Sequence, residues 1–243
     1  DDVLGPAPPD ELERVVNGIR YVDYDVENSR TSRAAIRLLQ SKRKSVLFPS
    51  LDLTENDIMK GVSQRPHCRF EEVITEDKGA HVILDIAHNP PAMTTLVAKL
   101  QATYPEKEKR FVVGFSADKD ISEIAKLLLV TVPSPSNIHL VEAVNLRAAK
   151  IEAILQIEPL LSESNFGASA SDRSITAQVK VATELASKNN EILVICGSVF
   201  LMAEARDALG IKEARDSKNI TDVAGKGLLK CKEKMNQTSN VKS

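Results

Sequence analysis

The stretch HVILDIAHNPP, residues 81–91, decides how this chain is read. The apolar run Val82-Ile83-Leu84 ends at Asp85, then Ile86, Ala87, His88 and Asn89 form a turn, and Pro90 stands where a helix begins. Asn as N-cap and Pro at the first helical position suit that start. The cap side chain accepts an orphan N–H, and Pro has none to lose. A strand that is apolar at every residue is covered on both faces, which marks a parallel sheet. Asp85 and His88 then stand at the carboxyl end of a parallel strand, the edge where open α/β sheets bind ligands. A carboxylate there suits a ribose diol, and an imidazole suits a carboxylate or phosphate oxygen. Equally, the two side chains could do no more than cap the turn.

Working outward, residues 69–76 (RFEEVITE) and 81–86 read as two strands joined at Asp77-Lys78-Gly79, a hairpin signal. Helix 90–103 follows, with Met93, Leu96, Val97 and Leu100 on one face. Strand 110–115, helix 119–130, strand 137–143, helices 147–155 and 172–187, strand 191–196 and helix 199–209 complete the alternation. The predicted fold is α/β, a Rossmann-like, mostly parallel sheet with helices on both faces and an antiparallel strand from 69–76. Ahead of it, residues 1–20 read as a loop and a short amphipathic helix from Asp10 (Leu12, Val15, Val16, Ile19). Helix 28–41 is capped by Asn28 or Ser29, and a third helix opens at Thr54 with Asp57 in capping position. The expected division is a helical, incomplete segment at 1–66, the α/β domain at 67–211, and a polar, Lys-rich tail at 212–243.

Two further strand ends repeat the logic of the first. RFVVGF is followed by Ser116-Ala117-Asp118-Lys119-Asp120, and EILVIC runs into Gly197-Ser198. Glycine permits close backbone approach and serine offers a hydroxyl at a helix start. Each is weak alone, but the three would converge on one crevice. His67, His81 and His139 show no metal-ligand spacing and read as surface or packing residues. Cys196, inside an apolar run, reads as a core thiol.

The 243 residues are 42% hydrophobic and 27% charged, the mix of a folded globular chain. Net charge is −2, so no global field draws the chain to nucleic acid or to an anionic membrane. Aromatics are 4% with no Trp, which argues against base-stacking platforms. No apolar run approaches the roughly 20 residues of a spanning helix. Cys68, Cys196 and Cys231 form no CxxC and are expected as reduced thiols, compatible with a cytoplasmic or mitochondrial location. A monomer is expected. The opening DDVLGPAPPDELE lacks Met and is acidic and Pro-rich, which leads us to expect a fragment.

LDIAHNP (84–90), GFSADKD (114–120) and CGSVFLMAEAR (196–206), in this order and spacing, resemble the C-terminal domain of the folylpolyglutamate synthase/dihydrofolate synthase family of the Mur ligase superfamily. Arg69 in PHCRFE, Asn28 in YDVENSRTSRAAIRLL and the pair Arg147-Ala148 extend the resemblance over roughly residues 20–210, and CGSVFLMAEAR leans toward the plant-type dihydrofolate synthases. It implies an ATP-dependent ligase that joins L-glutamate to dihydropteroate or a folate through an acyl phosphate, with magnesium neutralising the transferring phosphoryl group. Carried over, Asn28 and Arg69 would contact the nucleotide, with Arg69 toward phosphate, and Asp85 would hold the ribose. His88 and Ser198 would lie near the incoming glutamate. No metal ligands are carried over.

The chain departs from the pattern at two places. No GxxxxGK[ST] occurs, and the nearest string, Ala224-Gly225-Lys226-Gly227, lacks the first glycine and the hydroxyl. The glycine that usually precedes the arginine is Cys68. We therefore expect residues 1–66 to be the end of a central ATP-binding domain, and the isolated chain to be inactive. A noncatalytic binding or regulatory module derived from such a ligase is the rival reading, and a Mur-type ligase for a different acid is a third.

Overall fold

The computed structural model describes residues 13–41, 53–64, 66–75, 79–143, 145–163 and 172–211. Those up to Leu209 belong to one compact unit. The polar tail expected at 212–243, like the opening residues and most of the Asp77-Lys78-Gly79 turn, lies outside the described residues.

The chain enters through β1 (Glu13–Val16) and β2 (Ile19–Val22), an antiparallel hairpin in register Val16↔Ile19. This corrects the short helix expected from Asp10. Residues 12, 15, 16 and 19 do fall at helical spacing, but Asn17-Gly18 sits between them with φ of 51° and 76°. A two-residue hairpin turn of the primed type needs positive φ at both positions, and Asn-Gly is the pair that adopts it at least cost. The Asn17 side chain also donates to the Ala102 carbonyl at 2.7 Å, which seats the hairpin on a later helix.

Helix α1 spans Tyr24–Ser41, starting four residues earlier than expected. Its start is served by Asp23, whose Oδ1 accepts from the Asp25 N–H at 3.1 Å, so Asn28 is not a cap and stands one turn into the helix. Helix α2 (Glu55–Val62) begins with the expected capping box: Thr54 accepts from the Asp57 N–H while Asp57 accepts from the Thr54 N–H. The two helices are tied by Ser29 donating to the Val62 carbonyl and by Arg33 and Arg37 pairing with Glu55.

The main sheet holds β3 (Glu71–Ile74), β4 (His81–Leu84), β5 (Lys109–Val113), β6 (Ile138–Leu140) and β7 (Ile192–Cys196), in the order β3-β4-β7-β5-β6. Only β3 is antiparallel, through Glu72↔Ile83. The rest are parallel, as the all-apolar runs require. Every residue of β5, β6 and β7 is buried. The crossovers run through α3 (Pro90–Thr103), α4 (Ile121–Thr131), α5 (Ile151–Ile157) and α6 (Ile175–Asn189), and α7 (Met202–Ala208) follows β7 after one tight turn.

Met93, Leu96, Val97 and Leu100 are buried as the helical spacing of α3 predicts, and Leu100 has no exposed surface. Truncating such a residue to alanine costs about 2–5 kcal/mol. Helix α5 starts four residues later than expected because Arg147–Ala149 is held by the loop that follows β5. The Ala117 N–H donates to the Arg147 carbonyl at 2.8 Å and the Ala149 N–H to the Phe115 carbonyl at 2.9 Å. At the centre of the same edge, Gly197 has φ +101°, and a Cβ there would collide with the Gly114 carbonyl oxygen. Glycine is what lets β7 leave the sheet so close to β5.

Candidate nucleotide site at the carboxyl edge of the sheet

The loop ahead of β3 is bent by two residues with positive φ, Cys68 (59°) and Phe70 (48°). Cys68 occupies the position where the family resemblance implies glycine, and it takes a backbone conformation that glycine adopts without strain. For other residues that region costs about 1–2 kcal/mol. The bend is held from both sides. The Cys68 N–H donates to Glu71 Oε2 at 2.7 Å, Arg206 reaches the same oxygen at 2.6 Å, and the Cys68 carbonyl accepts from the Ile86 N–H at 2.9 Å. Burial works against ionisation of Glu71, yet the bonds from Arg206, Cys68 and His67 together hold its carboxyl below its usual value. Cys68 and Cys196 are both buried and neither is in a disulfide, and burial pushes the Cys196 thiol well up. Between them the bends place the Arg69 side chain in the open, where no described residue pairs with it.

Asp85 sits directly behind this loop. Its Oδ2 accepts from the Phe70 N–H at 2.8 Å and its Oδ1 from the Ala87 N–H at 2.7 Å. Burial pushes its carboxyl up, against those two N–H groups and the charges of Lys99 and Arg69. A carboxylate has room for about four hydrogen bonds, so both oxygens keep acceptor capacity. His88 donates from Nδ1 to the Ile86 carbonyl at 2.9 Å, which fixes the ring and leaves Nε2 free to meet a ligand. Asn89 caps α3 by accepting from the Ala92 N–H at 3.0 Å. The turn thus does what the bland reading required, and it also presents functional groups outward.

A cavity of about 440 Å³ opens over this turn. Arg69, Asp85 and His88 line it, and Asn28 closes it from α1. Four of the five residues singled out from the sequence therefore line one cavity, although they come from three separate stretches. The fifth, Ser198, does not line the cavity. It is 4% exposed, and its hydroxyl accepts from the Phe200 N–H to cap the following turn. It lies just behind, because the Gly197 N–H donates to the Ala87 carbonyl at 2.8 Å. Asp118 and Arg147 pair at 2.7 Å on a neighbouring loop, also outside the cavity.

Sequence reasoning missed Phe70, Lys99 and the aromatic rim of Tyr21 and Tyr24. Pro91, Thr95 and Lys99 recur every fourth residue on α3 and line the cavity together, a stripe beside the apolar face that was legible in principle. The Lys99 ammonium stands 4.4 Å from the centre of the Phe70 ring and 3.7 Å from Asp25 Oδ2. Among the described residues no group of three His, Cys, Asp or Glu side chains is placed to hold a metal ion, and no helix is long and apolar enough to cross a membrane.

A mostly parallel sheet with one antiparallel edge strand, flanked by helices and carrying a cavity at its carboxyl edge, defines a Rossmann-like α/β domain. The family model for the dihydrofolate synthetase C-terminal domain matches residues 69–208, and the chain belongs to that family. Solved structures agree in fold. E. coli FolC in complex with DHPP and ADP superposes with a TM-score of 0.51 at 22% identity, over 74% of this chain and 39% of that one. Mycobacterium tuberculosis folylpolyglutamate synthase complexed with ADP and AMPPCP gives 0.58 at 19% identity, over 81% and 44%. A bifunctional folylpolyglutamate synthase/dihydrofolate synthase with Mn, AMPPNP and L-glutamate bound gives 0.50 at 26% identity, over 73% and 38%. The chain spans about two fifths of the length of these structures. No curated protein sequence matches it.

Proposed function

We propose that the cavity over the β4–α3 turn is the C-terminal half of the ATP site of a ligase that joins L-glutamate to dihydropteroate or a folate. The observation that carries this reading is that Asn28, Arg69, Asp85 and His88 line one cavity. Their chemistry suits a nucleotide. Asp85 is an acceptor for a ribose diol, and Arg69 is an unengaged guanidinium for phosphate oxygens, whose planar fork matches such groups. Asn28 offers an NH2 donor group and a carbonyl acceptor, and His88 presents Nε2 toward the ligand or the incoming glutamate. Ser198 acts from behind His88 by shaping the turn rather than by touching nucleotide.

In this reading the acid's carboxylate oxygen attacks the γ-phosphorus and ADP leaves. The glutamate amine then attacks the acyl carbon and phosphate leaves. Charge on the phosphoryl oxygens is what the protein must stabilise. Among the described residues no group of three His, Cys, Asp or Glu side chains is placed for magnesium, which would come in on the phosphates. The 243 residues hold no GxxxxGK[ST] loop to cradle a triphosphate. We therefore infer that the chain binds nucleotide without turning over, and that turnover needs a cradle from elsewhere.

Incubating the chain with ATP, magnesium, labelled glutamate and dihydropteroate tests this reading together with an ADP titration. Binding of ADP without ligated product is expected. Product would overturn the inference of an incomplete site, and absence of nucleotide binding would overturn the nucleotide reading. A noncatalytic module that senses nucleotide gives the same two results, but it would gain no activity when mixed with a P-loop-bearing half of a family member.

A further inference from the structure

Lys99 is the one cation on the cavity wall for which neither the sequence nor the family comparison assigned a role. It projects from the third turn of α3 with its side chain 17% exposed, between Phe70 and Asp25. Lysines are rarely this enclosed unless paired. The Asp25 pair is long, 3.7 Å, beyond hydrogen-bonding range, and no described residue accepts a hydrogen bond from the ammonium. Its three N–H donors are therefore available at a cavity that Asp85 also lines, and the Lys99 charge is close enough to act on the Asp85 carboxyl. The Phe70 ring beneath the ammonium holds it in place without consuming a donor.

We propose that Lys99 is a ligand-binding residue that works with Asp85 on a single vicinal diol: the carboxylate accepts from the hydroxyls and the ammonium donates to their oxygens. Charge of both signs around a diol selects for it, because each hydroxyl is donor and acceptor at once. A phosphate or carboxylate in the same place would be repelled by Asp85, and a bare amine would be repelled by Lys99. The ligand part recognised here is thus a ribose rather than the anionic end of the molecule, and Arg69 serves that end. The inference rests on the nucleotide reading of the cavity. The other role open to Lys99 is structural, a tie from α3 to α1 through Asp25, and the two roles differ in what they discriminate.

The test compares ADP with 2′,3′-dideoxy-ADP, titrated calorimetrically into the full chain as wild type, Lys99→Met and Lys99→Arg. Wild type should prefer ADP by about tenfold or more, the scale of a charged hydrogen bond. Lys99→Met should lose about tenfold for ADP and little for the dideoxy nucleotide, and Lys99→Arg should recover part of the preference. Comparing two ligands on each variant cancels any general loosening of the fold. Equal weakening for both ligands, or none for either, would overturn the role of Lys99 while leaving the nucleotide site intact. Equal wild-type affinities would show that no diol is read and would overturn it too. A wild-type chain that binds neither nucleotide would overturn the reading of the cavity, and the inference with it.

Discussion

Replacing Glu191 by alanine should destabilise the domain severely without touching the cavity proposed to hold nucleotide. Glu191 precedes β7 at the amino-terminal edge of the sheet, opposite the carboxyl edge, and its side chain is 3% exposed against 5% for Arg110. Arg110 meets it with two bonds, Nε to Oε2 at 2.6 Å and Nη2 to Oε1 at 3.1 Å. Asn137 adds a donor at 3.0 Å and Asn189 another at 3.3 Å. The alanine variant removes all four bonds and leaves a guanidinium inside the protein with only the Ser136 carbonyl and His139 Nε2 as partners. Stranding one member of a buried pair costs about 3–5 kcal/mol. That is a large share of a typical total stability of about 5–15 kcal/mol. At roughly 2–4 °C per kcal/mol for a domain of this size, the midpoint should fall by about 6–20 °C.

Thermal and urea unfolding followed by circular dichroism measure the loss, and ADP titration well below the midpoint should return the wild-type affinity. The pair variant Arg110→Met with Glu191→Met should recover most of the stability, because two apolar chains need no partner. A single-variant loss under about 1 kcal/mol, or a pair variant as unstable as the single one, would refute the reasoning.

The same network makes stability depend on pH through His139. Burial, and then the neighbouring Arg110, push its imidazole down to about 4. The unfolded chain therefore binds a proton that the folded one refuses, stability is full above about pH 6.5, and it falls as pH drops toward 4. By linkage the loss between pH 7 and 5 is about 2 kcal/mol, and His139→Gln should flatten that part of the curve. Gly197→Ala should cost roughly 3 kcal/mol from its positive φ and the clash with Gly114, read as a lowered unfolding midpoint. Within a reconstituted ligase, Asp85→Ala should chiefly raise the KM for ATP and Ser198→Ala chiefly the KM for glutamate. Steady-state kinetics with each substrate varied would reveal a reversal, which would refute the division of the crevice.

The α/β core was legible because its determinants are local and redundant. Runs such as ILVIC and HVIL have no polar alternation, and Asn89-Pro90 announces the helix that follows. The entry hairpin is announced by Asn17-Gly18 alone. Helical spacing of Val15, Val16 and Ile19 competes there with turn chemistry, and over so short a stretch the turn decides. At the site, Asp85 and His88 were legible because the end of an apolar strand places them. Asn28 and Arg69 came through resemblance, and their meeting with Asp85 depends on the backbone of Cys68 and Phe70, which no local pattern announces. Lys99 was hidden as an ordinary polar residue of an amphipathic helix. The Arg110–Glu191–His139 cluster joins positions up to 81 residues apart and becomes visible only once the strands are aligned.

The central claim is that one cavity of this chain holds a nucleotide. Amide chemical-shift mapping with ADP on the isotope-labelled full chain tests it most directly. Shifts should concentrate at residues 28, 69–70, 85–89 and along the cavity face of α3 to residue 99, leaving residues 137–139 and 191 unmoved. Shifts that avoid the β4–α3 turn, or no saturable shifts at all, would contradict the account.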